Sequence, residues 1–366
     1  MAAIPSAKFV MPYRYLGNCG LKVSAICLGT MTFGEAEDGR PGQTDEQTAH
    51  TMLDRFVELG GNFIDTADIY QFGLSETIIG NWLLKRPHLR PRLVLATKVW
   101  GPMEDDVNGK GLSRHHIMHA VEQSLRRLQT DYIDLYQTHC WDSGTPVEET
   151  LRTLHDLVLS GKVHYIGVSN VTGWQFQHII DVCRQLHLTQ IVSNQAQYSL
   201  LCRSTEWELL EVCKRESIAM LPWSPLKGGL LTEDKEHRRN QSHPSLSDHI
   251  NDPAYWNLMD TMRDIATAHN ATVCQVAISW LLHQPAVTSV VIGARNVEQM
   301  EDNMNSAQVI LTKEELELLD KHSREPLPYP YEMVFRLQKG RERITGDIIA
   351  DSVESLKCCS IRCMDV

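Results

Sequence analysis

The chain has no paired cysteines to work with. Its ten cysteines stand at 19, 27, 140, 183, 202, 213, 274, 358, 359 and 363, with neither a Cys-x-x-Cys pair nor zinc-ligand spacing. That excludes a thioredoxin-like redox motif and a structural zinc ribbon, and it implies reduced thiols. No run approaches ~18 uninterrupted apolar residues and the first eight residues hold no apolar core, so neither a spanning helix nor a signal peptide is expected, and the expected setting is cytoplasmic. Positive charge is also short, with 35 Lys and Arg against 46 Asp and Glu for a formal net charge of −11. Nucleic acid and anionic membrane are therefore not expected as partners, and any polyanionic cofactor needs locally placed cations. Finally, no Gly-x-Gly-x-x-Gly occurs, because Gly109-Lys-Gly111 is not completed. The usual dinucleotide fingerprint of a doubly wound sheet is thus missing.

What is present is a repeat of two textures. Short apolar or β-branched runs fall at 23–28, 62–65, 93–98, 133–138, 163–168, 191–194, 219–223 and 289–292. Between them lie segments with helical spacing at 45–59, 114–128, 147–159, 173–186, 204–216, 257–269 and 273–282. Eight strands alternating with helices predict an α/β fold closed as a (β/α)8 barrel rather than an open sheet, and 366 residues suit one such barrel with insertions. The turn signal Gly17-Asn-Cys-Gly20, flanked by 13–16 and 21–23, predicts an N-terminal β-hairpin that plugs the barrel floor. The polar stretch 233–253 reads as a long loop before the last strand. The expected domains are a barrel over 11–325 and a C-terminal extension over 326–366, opened by Pro326-Leu-Pro-Tyr-Pro330 and carrying one helix at 341–356.

Barrel active sites form where strands end at their C-terminal side. Four polar residues qualify: Asp65 ends the second run, Tyr70 follows it, Lys98 ends Leu95-Ala-Thr-Lys98, and His139 ends Leu135-Tyr-Gln-Thr-His139. Singly, an Asp and Lys pair or a core histidine is an ordinary structural feature; at consecutive strand ends they make a site. A lysine held by a carboxylate favours the phenolate of a neighbouring tyrosine, which makes that tyrosine a proton donor to a carbonyl oxygen, with the histidine orienting the oxygen. None of the four can supply hydride, so a nicotinamide cofactor is implied.

These segments resemble the Asp, Tyr, Lys and His tetrad of the aldo-keto reductase superfamily. Tyr13-Arg-Tyr-Leu-Gly-Asn-Cys-Gly-Leu-Lys-Val-Ser24, Leu28-Gly-Thr-Met-Thr-Phe33, Gly167-Val-Ser-Asn170 and Trp223-Ser-Pro-Leu226 are similar to the subgroup of bacterial aldo-keto reductases and voltage-gated potassium channel β-subunits. The resemblance implies an NADPH-dependent reductase of aldehydes and ketones, with Asp65, Tyr70, Lys98 and His139 catalytic and Tyr70 the proton donor. It implies that Ser169, Asn170 and Gln195 bind the nicotinamide carboxamide, that Trp223 stacks on the ring, and that Gly29, Thr30, Met31, Asp65, Ser224, Pro225, Leu226 and Gly228 line the NADP(H) path. Gly293, Arg295, Gln299, Asp302 and Asn303 are implied around the adenosine 2′-phosphate and adenine. The alternative it carries is a non-catalytic, NADP(H)-binding regulatory subunit of the channel type; a homo-oligomer or a channel-like partner stays open, beside a small carbonyl substrate.

The phosphate region also has a reading of its own. Leu226-Lys-Gly-Gly-Leu230 offers close backbone approach, and Gly293-Ala-Arg-Asn296 opens a helix whose N-terminus suits a phosphate. The family's usual cationic strap is replaced by Leu231-Thr-Glu-Asp-Lys235, which predicts weaker or faster-exchanging NADPH. His115, His116 and His119 have the spacing of a metal pair but follow Ser113, a helix N-cap, and read as a solvated helix face; no metal is expected. Cys363-Met-Asp-Val366 matches a prenylation box in form, with Cys358 and Cys359 upstream, yet no polybasic run supports an anchor.

Overall fold

The computed structural model describes residues 9–35, 43–233 and 249–338. A two-stranded hairpin, β1 (Tyr13–Tyr15) and β2 (Lys22–Ser24), precedes eight strands: β3 (Ile26–Gly29), β4 (Phe63–Asp65), β5 (Val94–Val99), β6 (Ile133–Thr138), β7 (Val163–Ser169), β8 (Ile191–Gln197), β9 (Ala219–Trp223) and β10 (Val290–Ile292). These eight close in chain order, all parallel, with β10 paired to both β3 and β9. The fold is the expected (β/α)8 barrel.

One expected strand divides. The run 23–28 is shared between β2 and β3, because the Ser24 hydroxyl donates to the Ile26 carbonyl at 2.6 Å and Asn62 Oδ1 takes the Ser24 N–H at 2.7 Å. Side chains satisfy the backbone there, so the ladder can stop and restart. The hairpin then closes the barrel floor. Leu16 and Val23, without exposed surface, pack on Cys27, Phe63, Leu135 and Leu221 inside the barrel. Gly17 has φ +62°, and a Cβ there would stand 2.6 Å from the Val192 carbonyl oxygen and 3.0 Å from the Ala219 nitrogen. With the floor sealed, the barrel interior opens at the opposite end, where the strands' C-termini lie.

The helices are α1 (Glu46–Glu58), α2 (Leu74–Leu84), α3 (Arg114–Leu128), α4 (Val147–Leu159), α5 (Gly173–Gln185), α6 (Leu209–Glu216), α7 (Pro253–His269), α8 (Val273–Leu282), α9 (Val297–Asn305) and α10 (Lys313–Ser323). Helix α2 has no counterpart among the expected segments, and two of the expected helices differ in their bounds. The segment 204–216 is broken into a 3-10 turn, Ser204–Glu206, and α6, because Glu206 is drawn inward by Tyr198 (2.7 Å) and by Arg203. Helix α7 starts before 257, with Asp252 as N-cap and Pro253 in its first turn, where a missing N–H costs nothing. Chain up to Arg324 forms one compact unit; a second starts at Glu325, and its described part carries the helix Tyr331–Gln338. The helix expected at 341–356 lies outside the described residues, as do Cys358, Cys359 and Cys363. Among the described residues no helix is long and apolar enough to cross a membrane, and no disulfide forms.

Candidate active site

The register of the barrel brings the four strand-end residues together. Asp65 is level with Ala96 of β5, and Lys98 is level with Gln137 of β6, two residues before His139. The fully buried Lys98 ammonium donates to Asp65 Oδ2, to the Thr66 carbonyl at 2.9 Å and to the Tyr70 hydroxyl at 3.3 Å. The Tyr70 and His139 rings meet edge to face, their centroids 5.7 Å apart. The other Asp65 oxygen accepts from the side-chain amides of Gln137 at 3.0 Å and Gln195 at 2.9 Å. Two amides therefore fix the carboxylate while one oxygen is kept for the lysine.

The charges follow from this packing. Burial works to discharge Lys98, but the charge of Asp65 and the Tyr70 oxygen outweigh it, and its pKa is raised. Burial, with the Lys98 charge in the same direction, pushes His139 down to about 3, so its imidazole is neutral at physiological pH. Nearby, burial and then the charge of Glu76 push Asp68 up to about 8; its Oδ1 accepts from the Ile69 N–H at 2.6 Å. A neutral His139 thus stands beside a charged Lys98. One offers an uncharged hydrogen bond, the other a fixed positive charge.

Above these groups opens a cleft of about 340 Å³ bordered by Gly29, Thr30, Met31, Asp65, Tyr70, His139, Ser169, Asn170, Gln195 and Trp223. A second cavity of about 380 Å³ shares Thr32, Ser224, Pro225 and Gly293 with it and runs on to Leu226, Gly228, Arg295, Gln299, Asp302 and Asn303. The two make a continuous trough from the tetrad to the N-terminus of α9. Its walls fit a dinucleotide. At Gly228 (φ +64°) and Gly293 a Cβ would meet nothing within 4 Å, so backbone is bared to the trough, and Trp223 Nε1 has no hydrogen-bond partner among the described residues. Asn296 caps α9 by accepting the Gln299 N–H at 2.9 Å, which turns the helix's positive end toward the trough.

Every residue expected to contact cofactor borders this trough, but several are tied to one another. Asn170 (φ 51°) donates to the His139 carbonyl at 2.8 Å and to Ser169 Oγ at 3.0 Å, and Ser169 donates to the Gln195 carbonyl at 2.8 Å. Gln299 accepts from the Arg295 N–H at 3.1 Å, and Asn303 donates to the Gly293 carbonyl at 3.2 Å. Asp302 is held by Gln275 at 2.7 Å and Thr272 at 3.0 Å. Gly29 has a packing reason as well: a Cβ there would come within 2.8 Å of Val291 Cγ1. In the replaced strap, Thr232 caps the Gly229 carbonyl at 2.8 Å and Glu233 pairs with Arg263 of α7 at 3.5 Å, whereas Asp234 and Lys235 lie outside the described residues.

Gln137 was not among the expected site residues. The signal was available, because strand residues two apart share a face and Leu135, Gln137 and His139 therefore point alike. The expected solvated histidine face holds at His115 and His119, which are exposed, and needs correction at His116. Ser113 does cap α3, accepting the His116 N–H at 3.2 Å, but His116 is buried and its pKa lowered by burial and by His119. It falls on the side of the helix that turns inward with Ile117 and Ala120. Among the described residues no three His, Cys, Asp or Glu side chains group closely enough to hold a metal ion.

Sequence comparison carries the same reading to the level of family. A profile described as the aldo/keto reductase family matches residues 25–324. An uncharacterized oxidoreductase of Bacillus subtilis is 37% identical over 322 residues, which cover 85% of this chain and 95% of that protein. Norsolorinic acid reductase of Aspergillus flavus is 32% identical over 349 residues, 93% of this chain and 88% of the relative. Versiconal hemiacetal acetate reductase of Aspergillus parasiticus is 32% identical over 337 residues, 85% of this chain and 96% of the relative. Since the profile runs the length of the barrel from β3 to α10, the chain belongs to the aldo/keto reductase family and is an oxidoreductase.

Proposed function

We propose that this protein reduces aldehyde or ketone carbonyls to alcohols with NADPH, Tyr70 being the proton donor. The observation that carries the reading is the Tyr70 hydroxyl held 3.3 Å from the buried Lys98 ammonium at the mouth of the cleft. A carbonyl oxygen seated between Tyr70 and His139 receives a hydrogen bond from each. Neutral His139 orients it without competing for the proton, and Tyr70 transfers its proton as charge builds on the oxygen. The phenolate left behind is stabilised by Lys98, which Asp65, Gln137 and Gln195 keep in place. When bound, the cofactor supplies the hydride that no side chain can.

The trough supports the cofactor assignment. Gly228 and the N-terminus of α9 would approach the phosphates, with Arg295 beside the 2′-phosphate and Trp223 against the nicotinamide. Arg295→Ala is expected to weaken NADPH binding about tenfold or more and leave NADH unchanged, read by fluorescence titration; equal losses for both would remove Arg295 from this role. With the family's usual cationic strap replaced by Leu231-Thr-Glu-Asp-Lys235 and Glu233 facing Arg263, NADPH is expected to exchange quickly, and slow release in stopped flow would contradict that. The same reading takes 11–325 as the catalytic domain and 326–366 as its extension. The relatives named as reductases support the direction of reaction.

The test is NADPH consumption against a panel of aldehydes, quinones and dicarbonyls. Wild-type protein should turn over part of the panel, and Tyr70→Phe should lower kcat roughly 10²- to 10⁴-fold with little change in NADPH affinity. Saturable NADPH binding without turnover of any carbonyl would return the channel-type scaffold as the better account.

A further inference from the structure

Directly after Tyr70 the backbone turns left-handed at three residues in succession: Gln71 at φ 49°, Phe72 at φ 51° and Gly73 at φ 90°. Glycine takes this conformation freely, but a glutamine and a phenylalanine do so only where the surroundings impose it. Burial of the Phe72 ring is not the compensation, since 73% of that residue is exposed. What imposes the turn lies beneath it.

Glu76, fully buried in the first turn of α2, accepts from the Thr97 hydroxyl at 2.6 Å through one oxygen and from Arg127 Nε at 2.7 Å through the other. Thr97 immediately precedes Lys98 on β5, and Arg127 stands in the last turn of α3. One carboxylate thereby joins the helix that continues the Tyr70 turn, the strand that presents Lys98, and a third element. The packing around Arg127 leaves no slack. A Cβ at Gly73 would lie 2.6 Å from Arg127 Cδ, and one at Gly80 would lie 2.0 Å from the Arg127 carbonyl oxygen. The strained turn rests on the arginine stem, and α2 rests on its backbone.

From this we infer that the Glu76 and Arg127 ion pair positions the proton donor, holding the strained turn closed so that the Tyr70 hydroxyl stays within reach of Lys98. The inference rests on the reductase reading for its catalytic consequence, but the mechanical part stands apart from it. Glu76 and Arg127 are positioning residues here; they act through Tyr70. Lost reach at the proton donor lowers kcat, whereas the far part of the trough, at Leu226, Gly228, Arg295 and Gln299, is left as it was.

The experiment compares full-length wild type with Arg127→Met and Arg127→Lys by steady-state kinetics, NADPH titration and hydrogen exchange. Arg127→Met should lower kcat by about ten- to a hundredfold, as misplacement on the scale of an ångström does, and keep the NADPH dissociation constant within about twofold. Amides of 69–74 should exchange faster while those of β6 to β8 do not, and Arg127→Lys should recover part of the rate. In a Tyr70→Phe background the Arg127→Met change should cost little further, because both act on one step. Unchanged exchange at 69–74, or a rate loss of equal size in the Tyr70→Phe background, overturns the inference. Should Arg127→Met not fold, Thr97→Val removes one tie at equal size and should show the same pattern in weaker form; its absence counts against the inference equally. If wild type reduces no carbonyl, the reductase reading is what fails, and exchange at 69–74 alone decides whether the pair holds the turn.

Discussion

A lysine without exposed surface persists only where its charge is met on the spot, and Lys98 has a carboxylate, a carbonyl and a phenol around it. Lys98→Met should therefore destabilise as well as inactivate: Asp65 keeps its two amide donors but loses its cation, a cost of roughly 3–5 kcal/mol by chemical denaturation. An unchanged midpoint would mean that the buried pair contributes nothing to stability. His139 gives a pH signature with a definite sign. Its folded-state pKa, about 3, lies below the ordinary 6.5, so between those values the unfolded chain binds the proton and the folded chain does not. Stability contributed at this position is whole above that window and falls as pH drops through it, by up to about 1.4 kcal/mol per pH unit. Urea midpoints should thus decline less steeply between pH 6.5 and 4 in His139→Gln than in wild type; identical slopes would show that His139 titrates normally. These four residues were legible because each ends or follows an apolar run, which is how a barrel presents polar groups. Glu76 was not, since nothing in a helix apolar on every side sets one carboxylate apart as structural.

At the scale of elements, the hairpin β1–β2 does for the floor what the βα loops do for the mouth. Gly17 is its critical point, combining a left-handed φ with the close approach of β8 and β9. Gly17→Ala should cost about 2 kcal/mol, part from the backbone conformation and part from the displaced neighbours. A thermal melt would show this as a fall of several degrees, and no fall would mean that the hairpin sits loosely on the barrel. The strands were readable from their short β-branched runs, and α3, α4 and α8 from their periodicity, with Ser113 marking the start of α3. Helix α2 escaped because Ser75, Glu76, Ile78, Ile79, Gly80, Trp82 and Leu83 are all buried, which erases the polar stripe that marks an amphipathic helix. The break within 204–216 escaped for another reason: it is imposed by Tyr198 and Arg203 pulling Glu206 inward, contacts that no local pattern encodes.

For the whole molecule, a net charge of −11 surrounds a trough proposed to take a polyanion, so the cofactor's charge has to be met locally by Arg295 and the positive end of α9. NADPH binding should therefore weaken as ionic strength rises, more than NADH binding does, because only the former brings the extra phosphate. The central claim is a transfer of hydride to a carbonyl with Tyr70 supplying the proton. Its most direct measurement uses NADPH carrying deuterium at the transferable position of the nicotinamide, with mass spectrometry of the product alcohol. The account predicts one deuterium on the former carbonyl carbon of the alcohol formed by wild type, and a product yield lowered at least about a hundredfold in Tyr70→Phe. An alcohol without deuterium, or equal yields from the two proteins, would contradict it.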